Sequence, residues 1–293
     1  MIDRIILGHN QFFGVNHLAA QTGNQREAYF SDISRIMALM RLCREQEVNA
    51  VMMSTHERAI TIAGALQKDA GLRDTGIYLL LPYAAKYVKQ ANEKGLINII
   101  ADSLSGTSMQ EKMSMFFRGA VGFVSKDLQK ILTAMIDFEM TPFRGLNLRA
   151  VFLHDVLTDL ALGWRAPQVL ELFANHVQEK YLTRPAFCTK NLPKLMALLE
   201  KTDVKNPLIM ASINKAGYQV NPSRQAFEAC LQEKQLQLLA MSTLAAGYLK
   251  PREAYEYIYS LPKVDSVVVG VSTREHALEA FSEIRRHWRH ASA

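Results

Sequence analysis

The sequence has few of the features that announce a function. Only three of its 293 residues are cysteines: Cys43, Cys188 and Cys230, far apart and odd in number. That excludes a disulfide framework and fits a reducing compartment. No apolar run approaches the roughly 18 residues that a membrane span needs. The opening MIDRIILGHN is no signal peptide, because its apolar stretch is short and Asp3 precedes it. These absences predict a cytoplasmic chain with no membrane partner. Zinc-finger spacings and RNA-binding aromatic signatures are missing too, so no nucleic-acid partner is expected. There is no GxGxxG, no H-x-H, no HExxH, no internal repeat and no low-complexity tract.

The composition that remains is that of an ordinary globular protein, with 49% hydrophobic and 21% charged residues. The net charge of +6 is scattered, except for Arg285, Arg286, His287, Arg289 and His290. That run reads as the solvated end of a helix, where cations favour the dipole. A surface for an anionic partner is the alternative.

Short apolar runs alternate with longer amphipathic stretches, the pattern of βα units. Strands are expected at 4–7, 49–53, 76–81, 149–153, 185–188, 207–213, 237–241 and 266–269. Helices are expected at 31–47 (with Ser31 as cap), 58–69, 167–179, 192–200, 223–234, 252–261 and 274–288. A mostly helical stretch, 84–140, is longer than one unit needs. It holds an insertion at about 84–122, placed to cover the mouth as a lid, in which LINII reads as a short strand. Eight strands, each followed by a helix, predict one α/β domain over 1–293, a (β/α)8 TIM barrel with an extra helical insertion after strand three.

In such a barrel the residues just past each strand meet at one mouth. Here they are polar to an unusual degree. They include His9, Asn10 and Gln11; Ser54, His56 and Glu57; Tyr83 and Lys86; His154 and Asp155; Thr189, Lys190 and Asn191; Ser212, Asn214 and Lys215; Ser242; and Ser272, Thr273 and Arg274. A small-molecule site follows, with His9, Asn10 and Asn214 as substrate-binding candidates. Ser272, Thr273 and Arg274 precede a helix and can hold a phosphate as well as cap the chain, so the substrate or a cofactor is expected to be phosphorylated or anionic. His154 and His56 are acid–base candidates near neutral pH. Lys215 stands where a desolvated lysine forms a Schiff base, with an exposed loop lysine as the plain alternative. His9, His56 and His154 could instead share a divalent metal, although none of the usual ligand spacings is present. Cys188, at a strand exit, is the one cysteine placed to act as a nucleophile.

The last third resembles the aldo-keto reductase superfamily. The family's strand seven runs into Y-S-P-L-x-x-G-x-L, and here it is Met241-Ser242-Thr243-Leu244-Ala245-Ala246-Gly247-Tyr248-Leu249. The family's strand eight runs into I-P-G-A-S-S-x-E-Q-L-x-E-N. Here Val269-Gly270-Val271-Ser272-Thr273-Arg274-Glu275-His276 is followed by Glu279-Ala280. His154 after Val151-Phe152-Leu153 matches the family's strand-four histidine, and Leu7-Gly8 with Gly14 matches its opening. The resemblance implies an oxidoreductase that uses NADP on a carbonyl compound. Ser242, Gly270, Ser272, Thr273, Arg274 and Glu279 would hold the cofactor, and His154 would polarise the carbonyl oxygen. The family's Asp, Tyr and Lys are replaced by Ser54, about Ala59, and Leu81-Pro82, which leaves Tyr83 as the candidate proton donor. A redox-free lyase, isomerase or metal-dependent hydrolase, or a barrel that only binds its ligand, are the alternatives that these departures leave.

Overall fold

The computed structural model describes residues 2–14, 20–82 and 126–291. Eight parallel strands close on themselves in chain order. They are β1 (Ile5–Leu7), β2 (Ala50–Ser54), β3 (Gly76–Leu81), β4 (Leu148–Leu153), β5 (Arg184–Thr189), β6 (Leu208–Ser212), β7 (Gln237–Met241) and β8 (Val264–Val269). Closure is made by β8 lying along β1, with Ile5 opposite Val267 and Leu7 opposite Val269. This is the TIM barrel that the eight βα units predict. Tyr83, Lys86, LINII and the whole of the expected 84–122 insertion lie outside the described residues.

The described helices are α1 (Ala20–Tyr29), α2 (Ile33–Glu45), α3 (Glu57–Lys68), α4 (Lys126–Met140), α5 (Asp155–Trp164), α6 (Pro167–Tyr181), α7 (Leu192–Leu199), α8 (Arg224–Glu233), α9 (Pro251–Ser260) and α10 (Arg274–Ala291). Local chemistry sets their starts. Asp32, not the expected Ser31, caps α2 by accepting from Ser34 N, while the Ser31 hydroxyl donates back to Ala28 O. Asn191 caps α7 and Ser223 caps α8. Pro167 and Pro251 sit in the first turns of α6 and α9, where no N–H is needed.

Two helices were not expected. α1 (AQTGNQREAY) has no apolar stripe to mark it. α5 (DVLTDLALGW) follows β4 directly, where the sequence reading places its one helix further on, at 167–179. It ends at Arg165, which takes a left-handed φ of 54°, and α6 starts two residues later.

Alternation along the strands separates two cores. Ile6, Ala50, Met52, Tyr78, Leu80, Ala150, Phe152, Ala186, Cys188, Leu208, Met210 and Leu239 fill the barrel interior. Their neighbours in sequence, such as Leu7, Val51, Met53, Leu79, Val151 and Phe187, pack outward against the helices. The N-terminal end is closed by Tyr78, whose hydroxyl donates to Asp3 Oδ2 at 2.8 Å and accepts from Asp3 N at 2.9 Å. Ser266 donates to Asp3 O at 2.6 Å. The basic C-terminal run is partly structural: Arg285 donates to Gln46 O, and Arg286 and His287 both face Glu283.

α4 is fastened to α6 by a single carboxylate. Asp137 accepts from His176 Nε2 at 2.8 Å, Lys180 Nζ at 2.6 Å and Tyr181 Oη at 2.6 Å. Partial burial works against its charge, but the three donors outweigh it and hold its pKa at about 2. A carboxylate held below its unfolded value stabilises the fold above about pH 4, and that contribution disappears as pH falls through about 2. Thermal melts of wild type and Asp137→Asn should therefore differ clearly at pH 6 and converge by about pH 2. Curves that stay parallel across this range would show that Asp137 does not fasten α4.

Candidate active site

The period-2 pleat fixes what faces the axis at the C-terminal mouth. Continuing the interior rows by two residues gives Gly8 above Ile6, Ser54 above Met52, Pro82 above Leu80, His154 above Phe152, Lys190 above Cys188 and Ser212 above Met210. The interior row of β7 continues into Met241, packed on the same core, and Ser242 then lies 3.3 Å, Oγ to Oγ, from Ser212. The barrel is therefore an apolar plug topped by a polar ring.

On the β4–β5 side the ring is tightly organised. His154 Nδ1 lies 2.6 Å from Asp155 Oδ1, and Lys190 Nζ lies 3.1 Å from Asp155 Oδ2. At 2.6 Å a proton must lie between nitrogen and carboxylate, so Nδ1 carries it and Nε2 is the nitrogen left for the mouth. The Val156 N–H, within 3.2 Å of Nδ1 and 3.1 Å of Asp155 Oδ1, then belongs to the carboxylate. Burial opposes the Asp155 charge, yet His154 and Lys190 hold this carboxyl well below the usual range. Lys190 shows the complement: burial would lower its pKa, and Asp155 raises it instead, so it stays a cation. One helical turn on, Asp159 accepts from Thr189 Oγ1 at 2.5 Å and from Lys190 N at 3.3 Å. This pins the β5 exit against α5. Burial pushes the Asp159 carboxyl up.

The β1–β2 side is aromatic and dry. His9 is 9% exposed, and its ring lies 5.2 Å from that of Phe13, which stacks on His56 at 4.5 Å. Burial and the nearby His154 and His56 push His9 down to about 3, against a hydrogen bond to the Met52 backbone. His9 is therefore neutral at any working pH. His56 caps α3, its Nδ1 accepting from Arg58 N at 3.0 Å. Partial burial and Arg58 lower its pKa. Gln11 donates to Gly8 O at 2.7 Å and lies over Gly270, where an added Cβ would come within 2.8 Å of Gln11 Oε1. Only glycine fits at 270 without displacing Gln11.

Several expectations change. Lys215 is half exposed and ion-paired to Glu253 at 2.8 Å, so it lacks the desolvation a Schiff-base lysine needs. Asn214 is buried, but its amide clasps the backbone of Tyr218 in both directions at 2.8 Å, which shapes the β6 loop instead of facing a ligand. His56 is tied down as a helix cap. His9, His56 and His154 form no metal centre, and no cluster of three ligating side chains occurs among the described residues. The Nδ1 atoms of His56 and His154 are already engaged. Asn10 stands exposed at the rim.

At the β8 exit, Ser272 is half-buried, and Thr273, Arg274 and Glu279 are exposed. Thr273 Oγ1 accepts from His276 N at 3.2 Å, capping α10. In the exposed first turn of α10, the backbone N–H of Glu275 and the Thr273 hydroxyl lower the pKa of the Glu275 carboxyl. The β7 exit is backbone-strained, with positive φ at Ser242 (58°), Ala245 (47°), Ala246 (59°) and Gly247 (96°). Asp155, Lys190 and Asp159 are the residues that sequence reasoning undervalued. The available signal was the pair Asp155 and Asp159, one turn apart right after the strand-four histidine.

No protein-family model matches the chain, and no curated protein sequence matches it. Solved structures do. PA4992, a presumed aldo-keto reductase from Pseudomonas aeruginosa, superposes with a TM-score of 0.59 at 14% identity, over 97% of this chain and 90% of that one. The thermostable aldo-keto reductase Tm1743, solved with the inhibitor epalrestat, gives 0.60 at 11% identity over 99% and 94%. The aldo-keto reductase AKR11C1 from Bacillus halodurans gives 0.51 at 8% over 87% and 84%. The chain thus has the aldo-keto reductase barrel fold.

Cys188 is not a poised nucleophile. It is buried below the ring, its Sγ 3.9 Å from Met241 Sδ, and burial together with Asp155 and Asp159 pushes its thiol well up. Burial raises Cys43 to about 12 and raises Cys230 as well. Iodoacetamide at pH 8 should leave Cys43 and Cys188 unmodified in the native protein and alkylate them in urea, as read by mass spectrometry. Rapid native alkylation of Cys188 would contradict this geometry.

Proposed function

We propose that the chain is an oxidoreductase that reduces a carbonyl compound at the barrel mouth, with NADP as its hydride carrier. The observation that carries this reading is His154, at the end of β4 on the axis-facing row, with its Nδ1 fixed on Asp155 at 2.6 Å. That bond aims Nε2 at the substrate oxygen. Negative charge growing on that oxygen also meets Lys190, a cation held in place by the same carboxylate. The axis-facing plug beneath the ring excludes water from below.

The cofactor would lie across the β7 and β8 exits, where Ser242, Ser272, Thr273 and Arg274 supply donors in kind and Gly270 leaves the backbone bare. When bound, it supplies the hydride. The Glu275 carboxylate in the first turn of α10 would repel a phosphate bound there.

One observation favours a second reading, a redox-free acid–base reaction at the same ring. Ser54, Ala59 and Leu81-Pro82 stand where the fold's reductases, by the resemblance, carry Asp, Tyr and Lys, and Glu275 adds a negative charge to the first turn of α10. The two readings separate on NADPH titrated into the protein while Trp164 and Trp288 fluorescence is followed. The redox reading expects saturable quenching, weaker in Arg274→Ala and tighter in Glu275→Gln. It also expects His154→Gln to lose roughly 100-fold or more in NADPH-dependent carbonyl reduction while binding NADPH unchanged. No binding at millimolar NADPH removes the redox reading and leaves the acid–base one.

A further inference from the structure

The Asp155 carboxylate joins two different reagents. One oxygen holds His154 Nδ1 at 2.6 Å and the other holds Lys190 Nζ at 3.1 Å. Both residues continue axis-facing rows, on the paired strands β4 and β5. Both side chains stay partly open, His154 at 20% exposed and Lys190 at 39%, while Asp155 between them is 12% exposed. The carboxylate is thus the most covered of the three, and the groups that it orients are the ones a small molecule meets.

The proton on Nδ1 decides what Nε2 can do. As an imidazolium, His154 has an Nε2–H for a carbonyl oxygen, the role it takes in the reduction above. As a neutral imidazole, with its one proton on the Asp155 side, it presents a bare lone pair at Nε2. A lone pair takes a proton and turns a carbonyl oxygen away. No hydrogen bond to Nε2 exists among the described residues. Lys190 does the reverse. Beyond the N–H on Asp155, its ammonium has two more to offer an oxygen. A carbonyl oxygen is therefore drawn to Lys190, and the hydrogen on the adjacent carbon is left for His154.

The surroundings narrow the chemistry further. The Ser212 and Ser242 hydroxyls lie 3.3 Å from each other, and Cys188 is buried beneath the ring against Met241. No hydroxyl or thiol bonds His154 among the described residues, so it has no side-chain nucleophile to activate. Water is a poor second choice, because the facing β1–β2 side, with Phe13 stacked on His56 at 4.5 Å, gives it few polar partners.

We propose that the ring enolises carbonyl compounds, with His154 Nε2 removing a proton from the carbon next to a carbonyl whose oxygen rests on Lys190 Nζ. The C–H electron pair becomes the C=C bond of an enolate. The C=O π pair moves onto the oxygen, opposite the ammonium, and the proton is held on Nε2. Its return to carbon, or its exchange with solvent, closes the cycle without oxidant or reductant. The substrate class is aldehydes and ketones with at least one hydrogen on the adjacent carbon. This gives the redox-free reading above its reaction and rests on that reading.

Deuterium uptake tests it. Pyruvate, dihydroxyacetone and butanone are each incubated with the full chain in D2O at pD about 8, above the ordinary histidine range, and proton NMR follows the hydrogens next to the carbonyl. At least one probe should exchange well above its rate in buffer alone. His154→Gln should slow that exchange roughly 100-fold or more, and Lys190→Gln by about as much. Lys190→Arg, which keeps the charge, should recover part of the loss, as a purely structural lysine would not require. No exchange above buffer for any probe, or exchange that His154→Gln and Lys190→Gln both retain, overturns the proposal. So does His154-dependent cleavage of p-nitrophenyl acetate without any exchange, which would make His154 a base toward water. NADPH keeps the readings apart. Carbonyl reduction without exchange removes this proposal and leaves the reductase, and exchange in a chain that binds no NADPH does the opposite.

Discussion

The constraint on which the rest depends is the pleat of a closed parallel barrel. Alternate residues of every strand face the axis, and closure of β8 onto β1 forbids a local slip, because a one-residue shift would turn an interior row outward. The apolar rows Ile6, Met52, Leu80, Phe152, Cys188 and Met210 therefore dictate which residue stands above each of them. Ser54, His154, Lys190 and Ser212 share one ring for that reason, although they are far apart in sequence. The core fixes direction, and direction brings the chemistry together.

The ring divides into two halves with opposite characters. On the β4–β5 side, charge is fully partnered: Asp155 serves His154 and Lys190, and Asp159 serves Thr189 and the Lys190 backbone. A carboxylate buried with two such partners keeps its charge and holds both in place, which is the preorganisation a reaction centre needs. On the β1–β2 side, His9 Nδ1 and Ser54 Oγ are buried without a hydrogen-bond partner. Leaving each unsatisfied costs on the order of 1–3 kcal/mol, a cost that the barrel core sustains.

Much of the fold was legible because strands and helices leave periodic traces. β3 and β7 fall on their expected bounds, and the other strands lie within two residues of theirs. α5 escaped notice because it is short and lies between β4 and α6, where the sequence reading placed a single helix. The site was legible as a list and not as a geometry. His154 could be singled out because strand, position and residue type agreed. Lys215 and Lys190 look alike in sequence. Only the structure shows one paired with Glu253 at the surface and the other with Asp155 in the ring. His56 and Asn214 look like ligands on paper and prove to be a helix cap and a loop clasp. Past a strand's last residue, direction depends on the turn that follows, and a single sequence does not encode that turn in any simple period.

The central claim is that the pleat delivers His154 to the ring with its Nδ1 proton on Asp155 and its Nε2 facing the mouth. Long-range proton–nitrogen correlation of labelled histidine side chains reads this directly, with Asp155→Asn as the assignment control. The account predicts that His154 carries its proton on Nδ1, strongly downfield, and loses that signature in Asp155→Asn. A His154 protonated on Nε2 with bare Nδ1, indifferent to Asp155, would contradict it.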